Sequence, residues 1–389
     1  MKTGKSRKKA AAGILGMIVF LLVLSYTSKV KLVPLISTQG QNFEKAEVTR
    51  IIKDNLQEDG NRYGEQKVKL KIKTGSLKGK EVEAISPSGT LFGADCVEGM
   101  AVIAIVSTAE DTHVVTVYSQ DRTVAIYGFL LFFILIVCLI GGWKGVKAIL
   151  SLAFAGILLL YFLFPMIYRG YSPVGLTILL CILVTVFTMV MIGGISNKTV
   201  SATIGTTCGV AAAGIAALIF GHFAGITGYN VSDIETLNYI AQATPIKIGE
   251  LLFSGIILSA LGAVMDVGMS ISSTIQEIYE TDPSLGKKRL FLSGIHVGRD
   301  MMGTMVNTLI LAYVGGSLSA LMTNYAYALS YNQLMNSYVI GIEIMQGLAG
   351  SLGVVLTVPI TAAVSVELIY RKAERDKKKK EKRIKNKGL

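Results

Sequence analysis

A bilayer's hydrocarbon core is about 30 Å thick and takes roughly 20 helical residues to cross. Eight stretches of this chain meet or approach that length: 11–27, 125–142, 148–168, 173–194, 200–221, 248–267, 301–322 and 338–370. Inside lipid every backbone N–H and C=O must find its partner within the protein, so apolar runs of this kind fold as helices. Only 16% of the 389 residues are charged, against about 25% in a soluble globular chain. The reading is an all-α polytopic membrane bundle of about 8 transmembrane helices.

Charge sets the orientation. Residues 2–9 hold five Lys or Arg, and residues 371–387 hold eleven basic against three acidic residues. With the N-terminus inside, the short inner loops carry Lys144, Lys147, Lys198, Lys287, Lys288, Arg289 and Arg299, and the short outer loops carry Arg169 and little else. Eight spans with both ends cytoplasmic satisfy the positive-inside rule. The net charge of +12 is read as cytoplasmic basic segments lying against anionic lipid, in preference to a nucleic-acid surface. The stretch 11–27 resembles a signal peptide, but no small-x-small cleavage site follows it, and an uncleaved anchor is the reading.

The domain plan follows: a basic cytoplasmic N-terminus (1–10), a transmembrane anchor (11–29), an extracytoplasmic β domain (30–123), a seven-helix membrane domain (124–370) and a basic cytoplasmic tail (371–389). In the β domain, Val68, Leu70 and Ile72 alternate with lysines, the period-two pattern of a half-buried strand. Further strands are expected at 46–52, 80–85, 100–107 and 113–118, enough for a small closed or half-open barrel. No aromatic patch or acidic cluster stands out there, which favours a spacer over a binding module. Two amphipathic stretches border the membrane. Residues 230–243 read as an interfacial helix with a capping box from Ser232 to Glu235. Residues 270–297, broken at Asp282-Pro283, read as a cytoplasmic helical hairpin.

The sequence holds no phosphate loop, no GxSxG and no HExxH. Its three histidines are scattered, and its four cysteines show no metal-ligand spacing. Neither a cofactor, a metal nor an enzyme activity is expected. The remaining candidates are polar groups in or beside the spans, where a charge at a helix centre costs roughly 2.5–3.5 kcal/mol. An inner-side cluster comprises Asp266, Arg299, Asp300 and Asn307, with an ion pair between Asp266 and Arg299 expected across two antiparallel helices. An outer-side cluster comprises Glu250, Glu343 and Gln346, the last two one turn apart. For both clusters the competing reading is interfacial side chains reaching water. Gly205 and Gly209 form a GxxxG, read as a site of close helix packing within the bundle.

At Gly262-Ala-Val-Met-Asp266-Val-Gly-Met-Ser270, and at His296-Val-Gly-Arg299-Asp300-Met-Met-Gly-Thr-Met-Val-Asn307, the chain resembles the YibE/F family of bacterial membrane proteins over about residues 120–370. The N-terminal part is similar to the extracytoplasmic region of YibE-like members. The resemblance implies a bacterial plasma-membrane protein, with a related YibF-like partner or self-association, and it carries over no catalytic residue. Transport is the expected function. The runner-up is a membrane-embedded assembly or regulatory component whose outer domain binds a partner or an envelope ligand.

Overall fold

A computed structural model describes residues 24–30, 40–58, 60–87, 93–109, 112–231 and 233–385. The chain divides into two units, Pro34–Ile140 and the combination of Met1–Val33 with Gly141–Leu389.

The first unit contains the barrel. Strands β1 (Gln41–Lys53), β2 (Gln66–Ile72), β3 (Glu81–Ser86), β4 (Ala101–Ala109) and β5 (Thr112–Gln120) close in the order β1-β2-β3-β5-β4. The β3–β5 pair is parallel, and the others are antiparallel. Along β2 the expected alternation holds: Val68, Leu70 and Ile72 are buried, and Lys67 and Lys71 face out. They pack with Val48, Ala84, Val102, Ala104 and Val117 in one apolar core. Gln66 is also buried there, and its amide is fully used. It donates to the Cys96 carbonyl at 3.0 Å and accepts from the Cys96 N–H at 2.8 Å. Burial pushes the Cys96 thiol up from its usual range.

β1 starts earlier than its apolar pattern, because its first half pairs with β4 while its second half pairs with β2. Register shifts at Val48/Arg50 and Ile51/Lys53 mark the bend between the two halves. The closure creates an aromatic feature that linear reading missed. Phe43 and Tyr118 meet edge to face, with ring centroids 5.2 Å apart, on the outside of the barrel.

Helix α1 (Thr123–Leu158) starts where the Asp121 carboxylate accepts from the Thr123 N–H at 2.9 Å. Its path breaks at Gly142, whose φ of 52° and ψ of −136° suit glycine alone. The two spans expected at 125–142 and 148–168 are thus two helical segments parted at Gly142 within this run. A π turn (Leu159–Leu163) and α2 (Phe164–Tyr168) complete that run. Of the first expected span, residues 11–23 lie outside the described residues. Residues 24–28 are helical and tied to the α1–α2 region. Thr27 Oγ1 donates to the Tyr161 carbonyl at 2.8 Å, and Arg169 donates to the Tyr26 and Lys29 carbonyls.

Six further helices of the second unit are α3 (Pro173–Gly193), α4 (Asn197–Ala224), α5 (Ile234–Ala243), α6 (Leu251–Thr281), α7 (Lys287–Gly316) and α8 (Leu318–Ala326). They are followed by α9 (Tyr331–Met335) and α10 (Tyr338–Lys385). Local sequence explains the boundaries. Ser172 and Ser196 cap α3 and α4 by accepting from Gly175 and Thr199, and Gly225 ends α4 at φ 64°. Asp282-Pro283 separates α6 from α7, as the hairpin reading expected. For α5 the expected cap Ser232 lies outside the described residues. Among the described residues five helices are long and apolar enough to cross a membrane. A sixth candidate is the α7–α8 pair, bent by 63° at its break.

α10 packs on α4, α6 and α7, and α4 also packs on α6. Glycine makes the α4–α10 contact close. A Cβ placed on Gly205 would stand 1.8 Å from Thr361 Oγ1, and one on Gly209 would stand 1.8 Å from Thr357 Oγ1. One on Gly353 would stand 2.9 Å from the Ala213 Cβ. The two helices therefore run antiparallel with a small residue at every turn of contact, the packing that the GxxxG foretold.

Candidate functional site

The inner-side candidates sit on α6 and α7. These helices are antiparallel, with Gly294 against Ile275 and Gly298 against Ile271. Continuing that register brings Asp266 level with Gly303, about one helical turn beyond Arg299. Asp266, Arg299, Asp300 and Asn307 are all exposed on the outside of the bundle. The expected Asp266–Arg299 ion pair does not form, because the register offsets the two residues along their helices. Among the described residues of the helical unit, the ion pairs are Lys287–Glu367 at 3.0 Å and Arg371–Glu367 at 2.6 Å. Sequence reasoning missed this group. Lys287 lies 5.4 Å from the Tyr370 ring centroid, and the Tyr370 hydroxyl donates to the Leu285 carbonyl. Together they fasten the α6–α7 turn to α10.

The outer-side candidates separate into two places. Glu250 is held at the N-terminus of α3, where it accepts from the Ser172 hydroxyl and from the Val174 N–H at 3.4 Å. A carboxylate at a helix N-terminus meets free N–H groups and the positive end of the dipole, which is a structural use. Glu343 lies elsewhere, in a cleft of about 350 Å³ where α7, α8 and α10 meet. The walls are Ile310, Tyr313 and Val314 from α7, Leu321 from α8, and Ile340, Ile344, Gly347 and Leu348 from α10. Gln346 is on a different face of α10 and does not line the cleft.

The chemistry of the cleft rests on one atom. Glu343 Oε2 is buried and has no hydrogen-bond partner. The nearest polar lining group, the Tyr313 hydroxyl, is engaged with Ser259 Oγ at 2.6 Å. A carboxylate oxygen out of water with no donor is costly unless a proton or a cation arrives. The α7–α8 break at Gly316/Ser317, a bend of 63°, sets α8 so that Leu321 supplies one wall of the cleft.

A second cavity, of about 630 Å³, lies at the other end of α6, at the α3–α4 turn. It is polar, with Lys198 and Lys372 facing Glu277, Glu280, Asn197 and Gln276. Glu280 accepts from Gln276 at 2.6 Å. These residues come from three separate elements, so no linear spacing announced them. Among the described residues, no three His, Cys, Asp or Glu side chains are grouped to hold a metal ion.

A family model described as YibE/F-like protein matches residues 129–371. The chain belongs to the YibE/F-like family. No curated protein and no solved structure matches it. Family membership and the long apolar helices together fit a membrane protein. The YibE/F-like region contains both sets of candidate residues, the Glu343 cleft and the α4–α10 contact. The barrel strands lie before it.

Proposed function

We propose that this YibE/F-like chain is a transport protein of the bacterial plasma membrane, moving its substrate without chemical change, with the Glu343 cleft as the substrate site. The observation that carries the reading is the buried, partnerless carboxylate oxygen of Glu343 beside a break in a membrane-length helical pair. Discontinuous membrane helices around an isolated ionisable group are what secondary transporters use to bind and release a solute. In this reading both termini are cytoplasmic and the barrel is extracytoplasmic, on the strength of the basic-residue asymmetry. The test is solute flux in proteoliposomes holding the full chain. A Glu343→Gln variant that folds normally should abolish gradient-driven movement, and unaltered flux would remove the cleft from the transport path.

A second reading has its own observation. Phe43, Val114 and Tyr118 are exposed on the barrel, and two of them stack edge to face. Aromatic and apolar groups held outward on a rigid sheet suit an interaction surface. In that reading the chain is a membrane-embedded assembly component, with a related YibF-like protein or a second copy as a partner. Retained flux after Phe43→Ser and Tyr118→Ser, with loss of a co-purifying partner, would favour it.

A further inference from the structure

The Glu343 cleft restricts what can occupy it. Its single anionic group is Glu343, and no Lys, Arg or His lines it. An anion would therefore meet an uncompensated carboxylate. A small hydrated metal cation needs several oxygen ligands in place of its water, and the cleft offers one carboxylate and one phenol that Ser259 already engages. A neutral apolar molecule would fill the space and leave the Glu343 carboxylate uncompensated. The remaining class carries one weakly hydrated positive centre on an apolar body. Its charge pairs with the carboxylate, and its body covers Val314, Leu321, Ile340 and Ile344, with Tyr313 lining the same space. A volume of about 350 Å³ falls at the small end of organic-ligand pockets.

We infer that the cleft between α7, α8 and α10 is a binding site for an amphipathic organic cation, with Glu343 as its counter-ion. The inference rests on the reading of this cleft as the substrate site and adds the chemical class to it. Two sources share that chemistry, a soluble quaternary or protonated amine and the amine of a lipid headgroup.

The experiment uses the full chain in a non-ionic detergent, with tetraphenylphosphonium as probe and triphenylphosphine oxide as its neutral counterpart, read by calorimetry. The wild-type chain should bind the phosphonium saturably and the neutral compound not at all. Glu343→Gln should weaken binding by about tenfold or more, as the loss of one charge-assisted contact implies. Glu343→Asp should retain part of it, and Glu250→Gln should leave it unchanged. A melting curve of Glu343→Gln matching the wild type shows that the loss is local. Displacement of the probe by short-chain phosphatidylethanolamine, and not by short-chain phosphatidylglycerol, keeps the cation class and assigns its source to lipid. Equal binding of the neutral compound, or phosphonium binding indifferent to Glu343→Gln, overturns the inference. The two levels separate in proteoliposomes. Glu343-dependent flux of an anionic or neutral solute would sink the cation class and leave transport standing. Glu343-dependent phosphonium binding without any flux would do the reverse.

Discussion

Thr361 on α10 sets its hydroxyl oxygen against the backbone of Gly205 on α4, so closely that a methyl group on Gly205 would begin 1.8 Å away. Thr206 stands in the same relation to Gly268 on α6, at 2.8 Å from a Cβ built there. Both hydroxyl oxygens are buried and have no conventional hydrogen-bond partner. Glycine Cα–H groups at such closeness supply weak C–H···O contacts, each contributing about 0.5–1 kcal/mol. The close approach thus gives two isolated hydroxyls somewhere to point.

The first prediction follows. Gly205→Ala should destabilise the helical unit by about 1–3 kcal/mol, the usual cost of overpacking, because the neighbouring atoms are Thr361 Oγ1, Cβ and Cα and cannot all retreat. Gly303→Ala, with nothing within 4 Å of its new methyl, should be neutral or slightly stabilising. Thermal melting in detergent compares them. Equal melting temperatures would refute the close α4–α10 contact.

A second prediction concerns Asp266 and Arg299. They share no ion pair and are offset along antiparallel helices, so Asp266→Asn and Arg299→Gln should act independently. In a double-mutant cycle the effects on stability should add to within about 0.5 kcal/mol. A coupling energy of several kcal/mol, the signature of a broken buried pair, would contradict the register given above.

The barrel should fold on its own. Its core is closed and lies within one unit. A fragment of residues 38–124 should give a β-type circular dichroism spectrum and a cooperative melt. Its acid stability has a definite sign. Hydrogen bonds from the Thr123 hydroxyl and N–H, with Lys45 at 3.2 Å, hold the Asp121 carboxyl at about 2, below its ordinary 3.8. A lowered native value adds stability that is fully present above about pH 4 and disappears as pH falls through about 2. The melting temperature should therefore drop on going from pH 5 to pH 2, and Asp121→Asn should flatten part of that slope. A variant as acid-sensitive as the parent would show that Asp121 is not responsible.

Topology gives a fourth prediction. A reporter fused after Leu389 should report a cytoplasmic position, and one inserted near Gly75 an extracytoplasmic one. The opposite signal at either site would overturn the proposed orientation.

Much of the fold was legible because its periods are local. Lysines alternating with Val68, Leu70 and Ile72 mark a half-buried strand, and Asp282-Pro283 marks the end of a helix. Helix α6 outruns its apolar stretch because amphipathic turns extend it to Thr281, and α10 continues past Tyr370 into the charged run that follows. The site was less legible. Glu250 and Glu343 looked alike in sequence, as acids near the starts of apolar helices. One caps α3 through Ser172 and the other is isolated beside Tyr313, and that distinction depends on packing between elements far apart in the chain. The Asp266–Arg299 pairing failed for a similar reason. Residues at the ends of consecutive helices are neighbours in topology, but their depth is fixed by where Gly294 and Gly298 seat against Ile275 and Ile271.

The α4–α10 contact repeats itself at every turn: Gly205 on Thr361, Gly209 on Thr357, Ala213 on Gly353. A repeating track has more than one stop. Sliding α10 by one turn, about 5.4 Å, would set Gly205 opposite Thr357 and Gly209 opposite Gly353, but it would also drive Val358 of α10 out of its seat on Gly298 of α7, where a Cβ would stand 2.2 Å from Val358 Cγ1. The same economy of side-chain volume that seats α4 and α10 so closely leaves the choice among those stops to a third helix, because it is the Val358–Gly298 lock with α7 that fixes which one is used.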